Sequence, residues 1–207
     1  MPLKYQVPDD KKVRVIVDSD AACEADDPFA IAHALLCDKF IVKAIFAEHF
    51  NCEGSMKQSF EEIQRVVKAM KKEVPVLVGE IGKLSEKGTG EISEASSFLI
   101  REALREDDKP LYVLCIGAIT NIASAIQACP DIVPHMTVVW IGGQSHEHST
   151  GEVREFNAGN DIEAANLVLG SGVRFWQIPN DVYGSMRISL AEIQMRIAPC
   201  GEIGKHL

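Results

Sequence analysis

Short apolar runs rich in β-branched residues alternate along this chain with longer amphipathic stretches, and that alternation limits the fold more than any other feature. A strand that is apolar throughout needs cover on both faces. A helix between two such strands supplies it, so the pattern predicts βαβ units around a largely parallel sheet. The fold class is therefore α/β, an open Rossmann-like sheet flanked by helices. Strands are predicted at Val13–Val17, Val42–Ala47, Val76–Val78, Tyr112–Ile116, Thr137–Ile141 and Arg174–Gln177. The stretch from Ser55 to Lys72 opens on a serine suited to capping and carries Phe60, Ile63, Val66, Val67 and Met70 at helical spacing, with a charged opposite face. Gly88-Thr89-Gly90 reads as a loop. With no repeat or low-complexity tract, residues 1–207 are predicted to form one domain.

Composition excludes several classes of function. A net charge of −9 argues against binding nucleic acid, which is attracted mainly by clustered Lys and Arg. No apolar run approaches the ~20 residues that span a bilayer, so no membrane partner is expected. The polar opening MPLKYQVPDDKK lacks the apolar stretch of a secretory signal, which predicts a cytoplasmic protein. Cys23, Cys37, Cys52, Cys115, Cys129 and Cys200 form no Cys-x-x-Cys pair and read as reduced, mostly buried thiols. His146 and His148 have no third ligand nearby in sequence, which argues against structural zinc.

In parallel sheets of this kind the ligand site gathers beyond the carboxyl ends of the strands. The first predicted strand runs into Asp18-Ser19-Asp20, and a short loop returns through Glu24 to Asp26-Asp27 at the start of the helix-like run DDPFAIAHALL. Carboxylates at a helix start are favoured by the dipole and by unpaired N–H groups, and Pro28 suits the first turn. Capping accounts for one or two acids, not for Asp18, Asp20, Glu24, Asp26 and Asp27 together. Packed like charges repel unless protons or a cation neutralise them, and an all-oxygen set favours calcium or magnesium over zinc.

The run IVDSD…EADDPFAIAHALL resembles the opening of the inosine-uridine-preferring nucleoside hydrolase family, marked by Asp-x-Asp followed shortly by Asp-Asp. YVLCIGAITNIASAI is similar to that family's Gly-Pro-Leu-Thr-Asn-Ile-Ala turn, with Ala118 in place of proline. VVWIGG followed by REFNAGNDIEAA resembles its glycine turn and its Glu-Phe-Asn ribose-binding segment. The pieces occur in the family's order along nearly the whole chain. The resemblance implies a nucleoside hydrolase-like sheet and hydrolysis of the N-glycosidic bond of ribonucleosides, with Ca2+ as cofactor, nucleoside salvage as the setting and a dimer or tetramer as the assembly. Residue by residue, it implies that Asp20 holds the metal and acts as general base toward a metal-bound water, and that Asp27 is the principal metal ligand. The backbone carbonyl of Thr120 is expected to complete part of the metal shell. Asp26, Asn51, Glu155 and Asn157 are expected to grip the sugar hydroxyls, with Asp18 in support.

The chain departs from the family in three places. Five residues, Ala21 to Ala25, separate Asp20 from Asp26 where the common pattern has three, so Glu24 either enters the metal shell or faces water. Ser149 and Thr150 stand where the family often has an asparagine. The family also continues beyond this length, contributing a histidine near the leaving base and a further aspartate. The domain is therefore expected to be C-terminally incomplete, with apolar surface left uncovered, and His206 is not a safe substitute for the missing histidine. His49 lies before Asn51 at the predicted mouth and reads as a loop residue rather than a substrate contact. His146 and His148 read as surface residues, and Trp140 and Trp176 as core. Two other functions fit part of the pattern: a ribose- or nucleoside-binding relative without turnover, and a magnesium-dependent phosphatase using Asp18 as nucleophile, whose later Ser/Thr and Lys motifs are missing.

Overall fold

The computed structural model describes residues 6–86, 92–145 and 155–207. Gly88-Thr89-Gly90, His146, His148, Ser149 and Thr150 lie outside the described residues. The six strands are β1 (Val13–Ser19), β2 (Phe40–Ala47), β3 (Val76–Leu77), β4 (Leu111–Cys115), β5 (Thr137–Ile141) and β6 (Arg174–Ile178). All pair in parallel, in the spatial order β3-β2-β1-β4-β5-β6. The six predicted strands coincide with these, with ends that differ by no more than two residues.

Two apolar layers cover the sheet. Val15, Val17 and Ile45 pack on one face against Ile31 of α1 (Asp26–Leu36) and Ile63 and Val66 of α2 (Ser55–Ala69). Ile16, Phe46 and Val113 pack on the other against Leu99 of α3 (Glu94–Ala103), Ile122 of α4 (Thr120–Ala128) and, beyond a short α5 (Phe156–Asn160), Val168 of α6 (Ile162–Gly170). Successive β1 residues point to opposite faces, and every residue from Arg14 to Ser19 is buried, so the strand is covered on both.

Three sequence expectations are corrected. Ser55 is not a cap: Gly54, at φ 72°, holds the cap position, and buried Ser55 instead accepts the Phe50 N–H at 3.1 Å. Trp176 is not core, being 53% exposed on edge strand β6, where its ring meets that of Tyr112 at 5.7 Å. All six cysteines are free, but Cys115 alone is fully buried, because the others sit at helix ends and in loops. After β6 the chain makes short helices α7 (Asn180–Tyr183) and α8 (Leu190–Glu192) and ends in α9 (Gly201–His206). Val182, Met186, Ile188, Leu190 and Met195 in this last part are exposed. Among the described residues no helix is long and apolar enough to cross a membrane.

Candidate active site

From β1 the connections run one way to β2 and β3 and the other way to β4, β5 and β6, so β1 and β4 flank the switch point of the sheet. A crevice opens beyond the carboxyl ends of two such strands. Asp18 and Ser19 close β1, Asp20 follows, and Ile116-Gly117 leave β4 beside them. Gly117 lets the chain pass close to Asp20: a Cβ on it would lie 3.1 Å from Asp20 Cγ and press on that carboxyl. Ile119 then adopts φ 69°, a costly conformation for a β-branched residue, and that turn launches α4 with Thr120 and Asn121.

The carboxylates brought together here are strongly perturbed. Burial, then the charge of Asp27, pushes Asp20 up to about 8, and Asp20 Oδ2 is buried without a hydrogen-bond donor. Burial likewise raises Asp27 to about 7 against the opposing effect of Ser19 Oγ, which donates to Asp27 Oδ1 at 2.5 Å. Asp18 is fully buried, its Oδ1 accepting from Asn121 Nδ2 at 2.8 Å while Oδ2 has no donor. Its other neighbour is the carboxyl of Glu48, and burial holds both acids above their ordinary range. Glu48 was not singled out from sequence, although it is the first residue beyond an apolar strand on the ligand-facing edge.

A narrow cleft of about 60 Å³ joins Asp20, Asp26 and Asp27 to Glu155, Asn157 and Tyr183, with Glu24 also on its wall. Five of the seven expected site residues therefore share one cavity. Glu155 caps α5, accepting from the Asn157 N–H at 3.0 Å and the Ala158 N–H at 2.8 Å. It also accepts from the Gly143 N–H at 2.6 Å and the Tyr183 hydroxyl at 2.8 Å. Asn157 Nδ2 donates to the Ile141 carbonyl at 2.9 Å.

Asn51 and Thr120 do not line this cleft. Asn51 is exposed at φ 55°, held by its N–H to His49 Nδ1 at 3.1 Å. His49 Nε2 meets Thr120 Oγ1 at 2.8 Å, and Thr120 Oγ1 donates to Asp161 Oδ2 at 2.8 Å. With Nδ1 accepting and Thr120 donating onward, Nε2 carries the proton and the ring is neutral. Burial lowers its pKa in keeping with that. His49 is fully buried rather than at the mouth, so it orders the loop that carries Asn51.

A hard cation fits two features of the site: the unpartnered oxygens of Asp18 and Asp20, and the all-oxygen donors beside them. Among the described residues no group of three His, Cys, Asp or Glu side chains is disposed to hold an ion by itself. Asp20 and Asp27 would need the Thr120 carbonyl, water or ligand hydroxyls to complete a shell.

Known proteins resemble the chain along most of its length. The non-specific ribonucleoside hydrolase RihC of Escherichia fergusonii is 36% identical over 91 residues, which is 43% of this chain and 30% of that protein. The chain thus matches less than a third of that relative's length. A purine-preferring ribonucleoside hydrolase from Gardnerella vaginalis shares the fold at TM-score 0.69 and 23% identity, over 87% of this chain and 65% of that one. An inosine-uridine preferring nucleoside hydrolase from Bacillus anthracis does so at TM-score 0.71 and 14% identity, over 93% and 74%. The description of the inosine-uridine preferring nucleoside hydrolases matches residues 15–205. With the match covering nearly the whole chain and the acidic cleft lying where that fold gathers its ligands, the chain belongs to the inosine-uridine preferring nucleoside hydrolase family.

Proposed function

We propose that this protein hydrolyses the N-glycosidic bond of ribonucleosides, with calcium held by Asp20, Asp27 and the backbone carbonyl of Thr120. One observation carries the reading: buried Asp20, with an oxygen free of any donor, shares a cleft with Asp27 on one side and Glu155 and Asn157 on the other. When bound, calcium supplies neutralising charge and acidity to water at this position. Asp20, buried with Oδ2 free of any donor, accepts the proton of the attacking water. Asp26, Asn51, Glu155 and Asn157 orient the sugar through its hydroxyls. The cluster of carboxylates stabilises positive charge on the sugar ring as the base departs. The name of the matched relative, a non-specific ribonucleoside hydrolase, supports the substrate class.

A second reading, a ribose-binding relative without turnover, is favoured by the absence of a three-side-chain metal cluster among the described residues. Release of ribose from inosine and uridine, measured with calcium and after chelation, separates the two. Calcium-dependent release, cut about 10²- to 10⁴-fold by Asp20→Asn, is the expected result. Ribose binding by the folded protein with no release under either condition would establish the second reading instead.

A further inference from the structure

Glu155 is already saturated. A carboxylate has about four lone-pair positions. Here Oε1 takes the Asn157 N–H at 3.0 Å and the Tyr183 hydroxyl at 2.8 Å, while Oε2 takes the Gly143 N–H at 2.6 Å and the Ala158 N–H at 2.8 Å. Three of those donors are backbone amides, fixed by the cap of α5 and by the turn after β5. Only Tyr183 can leave by side-chain rotation. It is half-buried, it stands on a helix of four residues, and its neighbours Val182 and Gly184 are exposed. The same side chain forms part of the cleft wall opposite Asp20 and Asp27. At about 60 Å³ that cleft is far below the roughly 300–1,000 Å³ of pockets that bury a drug-sized ligand, and swinging Tyr183 aside would widen it.

We propose that the Tyr183 hydroxyl is a resident stand-in for a sugar hydroxyl on Glu155, and that an entering ribose takes its place as the phenol swings out of the cleft. The inference rests on the ribonucleoside reading and deepens it, because Tyr183 becomes the residue that sets how tightly the sugar is held. Burial and the contact with Glu155 both keep the phenol protonated, so it remains a donor throughout the physiological range. The exchange replaces one O–H···O bond with another, and its cost appears as weakened ground-state binding. Removing the hydroxyl therefore tightens ribose binding, whereas a purely structural tyrosine that held Glu155 in place would loosen it when removed. The sign separates the two roles.

The test is calorimetric titration of D-ribose, with calcium present, into the unaltered protein and into Tyr183→Phe. It is paired with the 19F resonance of 3-fluorotyrosine at position 183. The expected result is about three- to tenfold tighter binding by Tyr183→Phe, the net effect of one hydrogen bond, and a 19F shift in the labelled protein that saturates with ribose. Weaker or unchanged binding by the variant, or a 19F signal indifferent to bound ribose, overturns the displacement. If both proteins are folded and neither binds ribose, the displacement is overturned, whereas failure of the ribonucleoside reading shows separately as no release of ribose from inosine or uridine.

Discussion

The two ends of β1 treat buried charge in opposite ways. At the amino end, Arg14 is 4% exposed and fully answered: it donates to the Lys109 carbonyl at 2.9 Å and to the Glu102 carboxylate at 3.0 Å, with Asp107 3.8 Å away. At the carboxyl end, Asp18, Asp20, Asp27 and Glu48 are as deeply buried, and among the described residues no Lys or Arg forms an ion pair with any of them. The first set is a finished structural network. The second is complete only when protons or a ligand neutralise it, and folding stability is given up to keep it so. Within one strand, charge balance separates the residues that hold the fold from those that wait for something to bind.

The largest effect expected from this contrast is a reversed dependence of stability on pH. Asp20 and Asp27 have folded pKa values of about 8 and about 7 against 3.8 when exposed. Between those values the folded protein keeps protons that the unfolded chain has released. Their contribution is therefore fully present below pH 3.8 and is lost as the pH rises through 7 to 8. His49, held below 6.5 by burial, acts in the opposite sense and lowers stability in acid. Melting of metal-free protein should show Tm falling from pH 6.5 to 8, with calcium flattening or reversing the slope. A metal-free Tm that rises over that range would erase the contrast between the two ends.

Breaking the balanced end comes next. Arg14→Met leaves Glu102 buried with only the more distant Lys43 and Arg105, each beyond 3.5 Å, and should cost about 3 kcal/mol in urea unfolding. Adding Glu102→Leu should recover most of that loss, since a matched apolar pair replaces a buried ion pair at little cost. The smallest effect is expected where charge is already solvated. Arg65, paired with Glu62 at 2.7 Å on the exposed face of α2, should change unfolding free energy by no more than about 0.5 kcal/mol as Arg65→Ala.

Much of the site was legible because its parts are local in sequence. Asp18 to Asp27 form one strand-loop-helix passage, so the pattern of acids beside an apolar strand was enough to nominate them, whereas Glu155 and Asn157, which lie together at one helix cap, were implied only by the family resemblance of their segment. Tyr183 was not legible, because it meets Glu155 from 28 positions away, on a helix whose exposed residues carry no periodic signal. Nor was His49: its burial depends on Thr120, 71 positions along the chain, arriving opposite it.

The sequence by itself determined the α/β class, the strand positions and the acidic passage after β1, since each follows from local hydrophobic period and from residue types that only certain backbone positions tolerate. The tertiary structure alone decided which carboxylates remain unpaired. That outcome depends on parallel register: Asp18 aligns with Phe46 of β2 and Cys115 of β4, which sets Glu48 and Asn121 around it and leaves Asp20 at the open edge. Register is fixed by packing both faces of the whole sheet at once, and no single stretch of chain contains that information.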